Sequence, residues 1–117
     1  MPTSGDVVDL DLGAPRGREA GFVRPAVVVT AQRILDGSPS VVQVVPLTAT
    51  LRRFESEVVL EPDERNGLAA RSAAQCQHLR AVSTARIEAV RGNVGVVALS
   101  QIRETIATIL DMPSVAD

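Results

Sequence analysis

The sequence predicts a mainly β fold, a small barrel of short strands closed by one C-terminal helix. Three observations carry this expectation. Apolar runs of about four to eight residues recur roughly every dozen positions, each bounded by glycine, proline or small polar residues. Several of these runs are built from valine, whose branched side chain packs well on a pleated surface. Only the C-terminal end spaces its apolar residues as a helix does.

Taken in order, VVDLDL from Val7 to Leu12 alternates, with Val8, Leu10 and Leu12 on one face and Asp9 and Asp11 on the other. That pattern predicts a half-buried strand. The glycines and proline of GAPRGREAGFV, from Gly13 to Val23, read as a loop. PAVVVT then resumes as an apolar strand, with Pro25 at its entrance, where a missing N–H is tolerated. SVVQVVPLT is a second, more central apolar run, and SEVVLEP turns Val58 and Leu60 inward. PDERNGL reverses the chain through Asn66-Gly67, and SAAQCQHLRAV reads as a strand bent near Gln77, where the alternation changes phase. From about Val97 to Leu110, Leu99, Ile102, Ile106 and Ile109 with Leu110 recur at helical spacing until Pro113 ends the pattern. Residues 1–112 are expected to form a single domain, and 113–117 a loose tail.

Composition narrows the function classes. A chain of 117 residues is one domain by size. Its 45% hydrophobic content and mean hydropathy of +0.16 exceed what so small a core should need, which points to a homodimer covering the surplus. No apolar run approaches the length of about twenty residues that a membrane helix needs, and the acidic start does not read as a signal peptide. The single cysteine, Cys76, excludes an intrachain disulfide and a cysteine-built metal site, and a reducing cytoplasm fits best. With a net charge of −2 there is no global positive field, so any phosphate site must be a local cluster of arginines. Arg16, Arg18 and Arg24 form one such cluster and Arg52 with Arg53 another, while acids gather between Glu55 and Glu64. All twelve basic residues are arginine, which suits bidentate phosphate recognition and equally follows from a GC-rich genome.

Four stretches in this order and spacing, GDVVDLDLG, GREAGFVRPAVVV, VVQVVPLTAT and AAQCQHLRAVS, resemble the MazF/PemK family of toxin endoribonucleases, the mRNA interferases. The resemblance runs from about Gly5 to the final helix. Its most specific signals are the Gly-Asp-Val strand leading to Asp11-Leu12, the Arg24-Pro25 pair before a valine run, and Pro46 with Thr48 after the next strand. It implies an SH3-like or CcdB-like barrel that dimerises and cleaves single-stranded RNA at a short sequence, with no metal or other cofactor, in a bacterial cytoplasm. It also implies a type II toxin-antitoxin system, in which a cognate antitoxin holds the toxin inactive. In the MazF branch the arginine of the Arg-Pro pair and the threonine after the proline carry the chemistry, and these fall on Arg24 and Thr48. The PemK-like branch uses an arginine and an aspartate on the later strand, where this chain has Gln75 and Gln77. The resemblance therefore assigns the chemistry to Arg24 and Thr48. Val8 stands where family members often carry a bulky aromatic.

The chemistry agrees with that assignment. Metal-free cleavage sends the 2′-hydroxyl onto its own phosphorus, so the protein must disperse phosphorane charge, take a proton from the 2′-oxygen and return one to the leaving 5′-oxygen. A guanidinium is always charged and offers a planar fork of donors, so Arg24 suits the nonbridging oxygens. Pro25 and the rigid strand behind it hold that charge in place. Thr48 adds a hydroxyl donor, and Glu19 is a candidate general base because its loop also holds Arg18 and Arg24, with a surface salt bridge as the competing reading. Arg16, Arg18, Phe22, Arg52, Arg53, Gln75, Gln77 and Arg80 are expected to contact RNA, with Phe22 stacking a base. Cys76 reads as a small buried hydrophobe and Phe54 as core, and His78 receives no role.

Two other readings compete. A noncatalytic CcdB-like toxin that binds DNA gyrase would rely on its terminal helix and need no loop arginine. An RNA-binding module without turnover would bind RNA and leave it intact.

Overall fold

The structure is a computed structural model that describes residues 1–13 and 23–113. The described residues form β1 (Asp6–Asp11), β2 (Val23–Val28), a short helix α1 (Gln32–Leu35), β3 (Val41–Thr48), β4 (Glu57–Leu60), β5 (Ser72–Gln75), β6 (Arg80–Ser83), β7 (Ile87–Asn93) and helix α2 (Gly95–Ile109). The strands pair antiparallel in the order β4-β5-β3-β2-β1-β7, and β6 also pairs with β3.

Strand β3 organises this sheet. One of its edges pairs with β2 through Val44–Pro46. The other takes β6 along Val41–Val44 and β5 along Leu47–Thr48. The change of phase near Gln77 is the device that allows this: Cys76–His78 form one 3-10 turn, which carries the chain from β5 to β6.

The central strands are buried on both faces, which is why they read as unbroken apolar runs. On one face Val27, Val29, Val45 and Leu47 meet Leu99 and Ile102 of α2. On the other, Val8, Leu10, Ala26, Val28, Val42 and Val44 pack with Leu35 and Val82 inside the curled sheet. Strand β1 was expected to be half-buried, yet Val7 and Val8 are both fully buried. The reason is its position between β2 and β7, which lets α2 cover the Val7 side. Val58 and Leu60 pack inward as the alternation requires.

Helix α2 begins two residues before the expected start, where the Asn93 side chain accepts from the Gly95 N–H at 2.8 Å. It ends before Pro113 acts, because the Met112 N–H bonds back to Ala107 and the Asp111 N–H to Thr108. With Asp111 at φ 54, this is a Schellman closure. Arg103 lies on the polar side of α2 but reaches down to the Val29 carbonyl at 3.1 Å and Ser4 Oγ at 2.6 Å, tying the helix to the end of β2. Strand β7 escapes a reading by alternation because two register shifts interrupt its pairing with β1. Its Gly92 lies against the Asn66-Gly67 turn so closely that a Cβ there would sit 2.1 Å from the Arg65 carbonyl oxygen. Among the described residues no helix is long and apolar enough to cross a membrane.

Ile102 is fully buried where α2 meets the sheet, so Ile102→Ala is expected to lower the unfolding free energy by about 2–5 kcal/mol in a denaturant titration. Cys76 is 2% exposed, and burial pushes its thiol up from 9.0 to about 11, with the nearby Glu57 charge adding to the rise. The folded state then holds this proton more tightly than the unfolded chain does. Its contribution to stability is complete below pH 9 and is lost as pH rises toward 11. The native thiol is expected to resist alkylation at neutral pH and react fully once unfolded, and Cys76→Ala should flatten the alkaline loss of stability.

Candidate active site

Arg24 sits on β2 across from Leu10, and Pro25 beside it lies across from Asp9. Behind them Ala26, Val27 and Val28 are fully buried, so the guanidinium is carried by a fixed strand rather than by a loop. The β2–β3 register runs Val28↔Val44, Val27↔Val45 and Ala26↔Pro46. The ladder ends there, with Arg24 two residues beyond Ala26 on β2 and Thr48 two residues beyond Pro46 on β3, so each keeps the side of the sheet that Ala26 and Pro46 share. Cross-strand partners share a face, so Arg24 and Thr48 both lie on the side of the sheet turned away from α2.

Thr48 is half-buried, and its Oγ accepts from the Thr50 N–H at 3.1 Å. Accepting leaves the hydroxyl hydrogen available, and it meets no acceptor among the described residues. The same side chain thus steadies the strand end and keeps a donor. Thr48 also pairs with Ala73 of β5, and Val44 with Arg80 of β6. By the same alternation Gln75 falls beside Pro46, so Arg24, Thr48, Gln75 and Arg80 share one face around that proline.

Gln75 and Gln77 do not stand free on this face. The Gln77 amide donates to Glu57 Oε2 at 2.8 Å and the Gln75 amide reaches the same oxygen at 3.5 Å. Glu57, placed across from Gln75 by the β4–β5 ladder, is the polar residue that sequence reasoning missed. It was counted among the distant acids, although the inward turn of Val58 and Leu60 already placed Glu57 on the opposite face.

Arg52, Arg53 and Phe54 lie together in the β3–β4 connection, all exposed. The expectation that Phe54 belongs to the core is corrected: it is 51% exposed, and Arg52 Cζ stands 5.9 Å from its ring centroid. The backbone explains this. Arg53 adopts φ 58 and the Phe54 carbonyl accepts from the Glu57 N–H at 3.0 Å, closing a tight turn that points the ring outward. His78 is exposed, and Val8 is a core residue with no surface on which to stack a base. Arg16, Arg18, Glu19 and Phe22 lie outside the described residues.

Among the described residues the ion pairs are Arg71–Glu61 and Arg91–Asp9. Arg24, which is half-buried, and the exposed Arg52, Arg53 and Arg80 enter neither, and so have no fixed carboxylate partner among those residues. Such a face can hold a phosphate and donate to it, as metal-free phosphoryl chemistry requires.

With this geometry in place, the likeness to known proteins becomes specific. The Endoribonuclease MazF9 of Mycobacterium tuberculosis (strain ATCC 25618 / H37Rv) is 33% identical over 119 residues, spanning 96% of this chain and 98% of the relative. Among solved structures, a chain of the MazE-MazF complex (Form-II) from Deinococcus radiodurans superposes with a TM-score of 0.77 at 24% identity, covering 96% of this chain and 97% of that one. An endoribonuclease in complex with its cognate antitoxin from Mycobacterial species gives a TM-score of 0.75 at 20% identity, over 97% and 99% of the two chains. These structural likenesses bear out the mainly β barrel with its C-terminal helix. Residues 3–110 match the family described as PemK-like, MazF-like toxin of type II toxin-antitoxin system, and the chain belongs to that family.

Proposed function

We propose that this toxin is an endoribonuclease that cleaves single-stranded RNA by attack of a 2′-hydroxyl on its neighbouring phosphorus, with Arg24 and Thr48 as the catalytic pair. The observation that supports the assignment is the β2–β3 pairing, by which Arg24 and Thr48 fall on the same side of two neighbouring strands, Thr48 with a hydroxyl hydrogen unused among the described residues. Arg24 disperses the charge of the phosphorane and Thr48 donates to the same phosphoryl group. Glu19 remains the proposed base, and Arg16, Arg18, Phe22, Arg52, Arg53 and Arg80 the proposed RNA contacts. A relative bearing the name endoribonuclease supports the activity, and the toxin–antitoxin complexes among the structural matches support a cognate antitoxin as the physiological partner.

The working unit is a homodimer in the cytoplasm. Val96 and Val97 on α2 are 85% and 73% exposed, and Ile109, Leu110 and Met112 stay uncovered at its other end. A single copy leaves this much apolar surface in water, and a second copy would bury part of it.

Purified protein incubated with RNA in EDTA should cut it and leave a 2′,3′-cyclic phosphate. Arg24→Ala should slow single-turnover cleavage about 10²–10³-fold and Thr48→Val about tenfold. Intact RNA, or undiminished cutting by Arg24→Ala, would defeat the assignment. If six arginines each neutralise one phosphate, log affinity should fall against log salt with a slope of about −4, and a much steeper slope would contradict a local patch.

A further inference from the structure

The Glu57–Gln77 pair has a feature that the catalytic roles leave unused. Glu57 Oε1 and Gln77 Oε1 are both buried, and neither meets a donor among the described residues. The assignment of the amide follows from the network: a carboxylate only accepts, so Gln77 must turn its NH2 to Glu57 and keep its carbonyl oxygen for something else. Buried acceptors are normally satisfied. Two left open on side chains that hydrogen-bond each other call for a ligand carrying two donors. Glu57 and Gln77 keep part of their surface exposed, so the cluster lies just under the protein boundary, and a ligand reaches the two oxygens when these side chains turn outward.

A second, independent observation lies one turn away. Phe54 presents an exposed ring with Arg52 standing over it, and its carbonyl is bonded to the Glu57 N–H at 3.0 Å. An exposed aromatic surface next to a guanidinium is the platform on which single-stranded bases stack. Strand β5 separates β4 from β3, so Glu57 lies roughly 10 Å across the sheet from Pro46. That is the reach of a neighbouring nucleotide, not of the phosphate held by Arg24 and Thr48.

We propose that Phe54, Glu57 and Gln77 form a base-reading subsite for guanine, in which the base stacks on Phe54 and directs its N1–H and N2 amino donors to Glu57 Oε1 and Gln77 Oε1. Guanine is the base whose pairing edge offers donors on two adjacent atoms. Adenine and cytosine present one amino group beside an acceptor, and uracil one N–H between two carbonyls. Gln75 acts as a positioning residue, helping to hold the carboxylate. The inference rests on the reading that this protein binds single-stranded RNA.

The test uses the full chain and a randomised pool of short 2′-fluoro RNA, which lacks the nucleophile and stays uncut whatever the active site does. Sequencing of the bound fraction should show guanine enriched at one position. Inosine at that position, which lacks only the 2-amino group, should weaken binding about tenfold, a comparison made on unaltered protein. Gln77→Ala should bring the guanine-to-inosine ratio close to one, Glu57→Gln should weaken guanine and inosine alike, and Phe54→Ala should weaken all sequences. A pool bound without guanine enrichment, no binding at all, a guanine-over-inosine preference kept by Gln77→Ala, or unchanged affinity of Phe54→Ala would each overturn the subsite. Guanine-selective binding by a protein that leaves natural RNA intact would overturn the catalytic assignment alone.

Discussion

The register between β2 and β3 is the constraint on which the rest of the structure depends. Alternate residues of each strand face α2, and the others face the inside of the curled sheet. A slip of one residue would drive Arg24 toward the helix core and turn Val27 and Val45 out of it. The valines that hold the register therefore also hold the site. Arg24 and Thr48 are placed by the packing of fully buried residues behind them, and this is the physical sense in which the scaffold fixes a charge.

Electrostatics follow from the same arrangement. The chain is weakly acidic, yet its described ion pairs, Arg71–Glu61 and Arg91–Asp9, engage neither Arg24 nor Arg80. Glu57 shares the face with Gln75, and it is engaged by glutamine amides rather than by a guanidinium. Arg24 and Arg80 thus keep their charge free of a carboxylate partner among the described residues, while Glu57 is held by neutral amides. A polyanion can be gripped locally by a protein without any global positive field.

Much of this was legible in the sequence. The runs around Val27 and Val45 announced central strands because both faces are covered, the Asn66-Gly67 turn announced itself by chemistry, and the spacing of Leu99, Ile102 and Ile106 announced α2. Strand β7 was not legible, because its register shifts against β1 break the alternation. Helix α1 has only four residues, too few for periodicity to register. At the site, Arg24 and Thr48 were visible through a family resemblance, but their common face follows only from the pairing of β2 with β3. Phe54 misled because an aromatic in a short apolar chain is ordinarily core, and only the positive φ at Arg53 shows why it points outward. Glu57 was hidden in an acidic stretch until the β4–β5 ladder set it against Gln75.

The most direct test of the central claim is a double-mutant cycle on single-turnover RNA cleavage, with Arg24→Ala, Thr48→Val and the two combined. If both side chains serve one phosphoryl group through a shared register, the combined loss will fall clearly short of the product of the single losses. Losses that simply multiply, or a Thr48→Val chain that cuts as fast as the parent, would show that the two residues do not act on the same reacting centre.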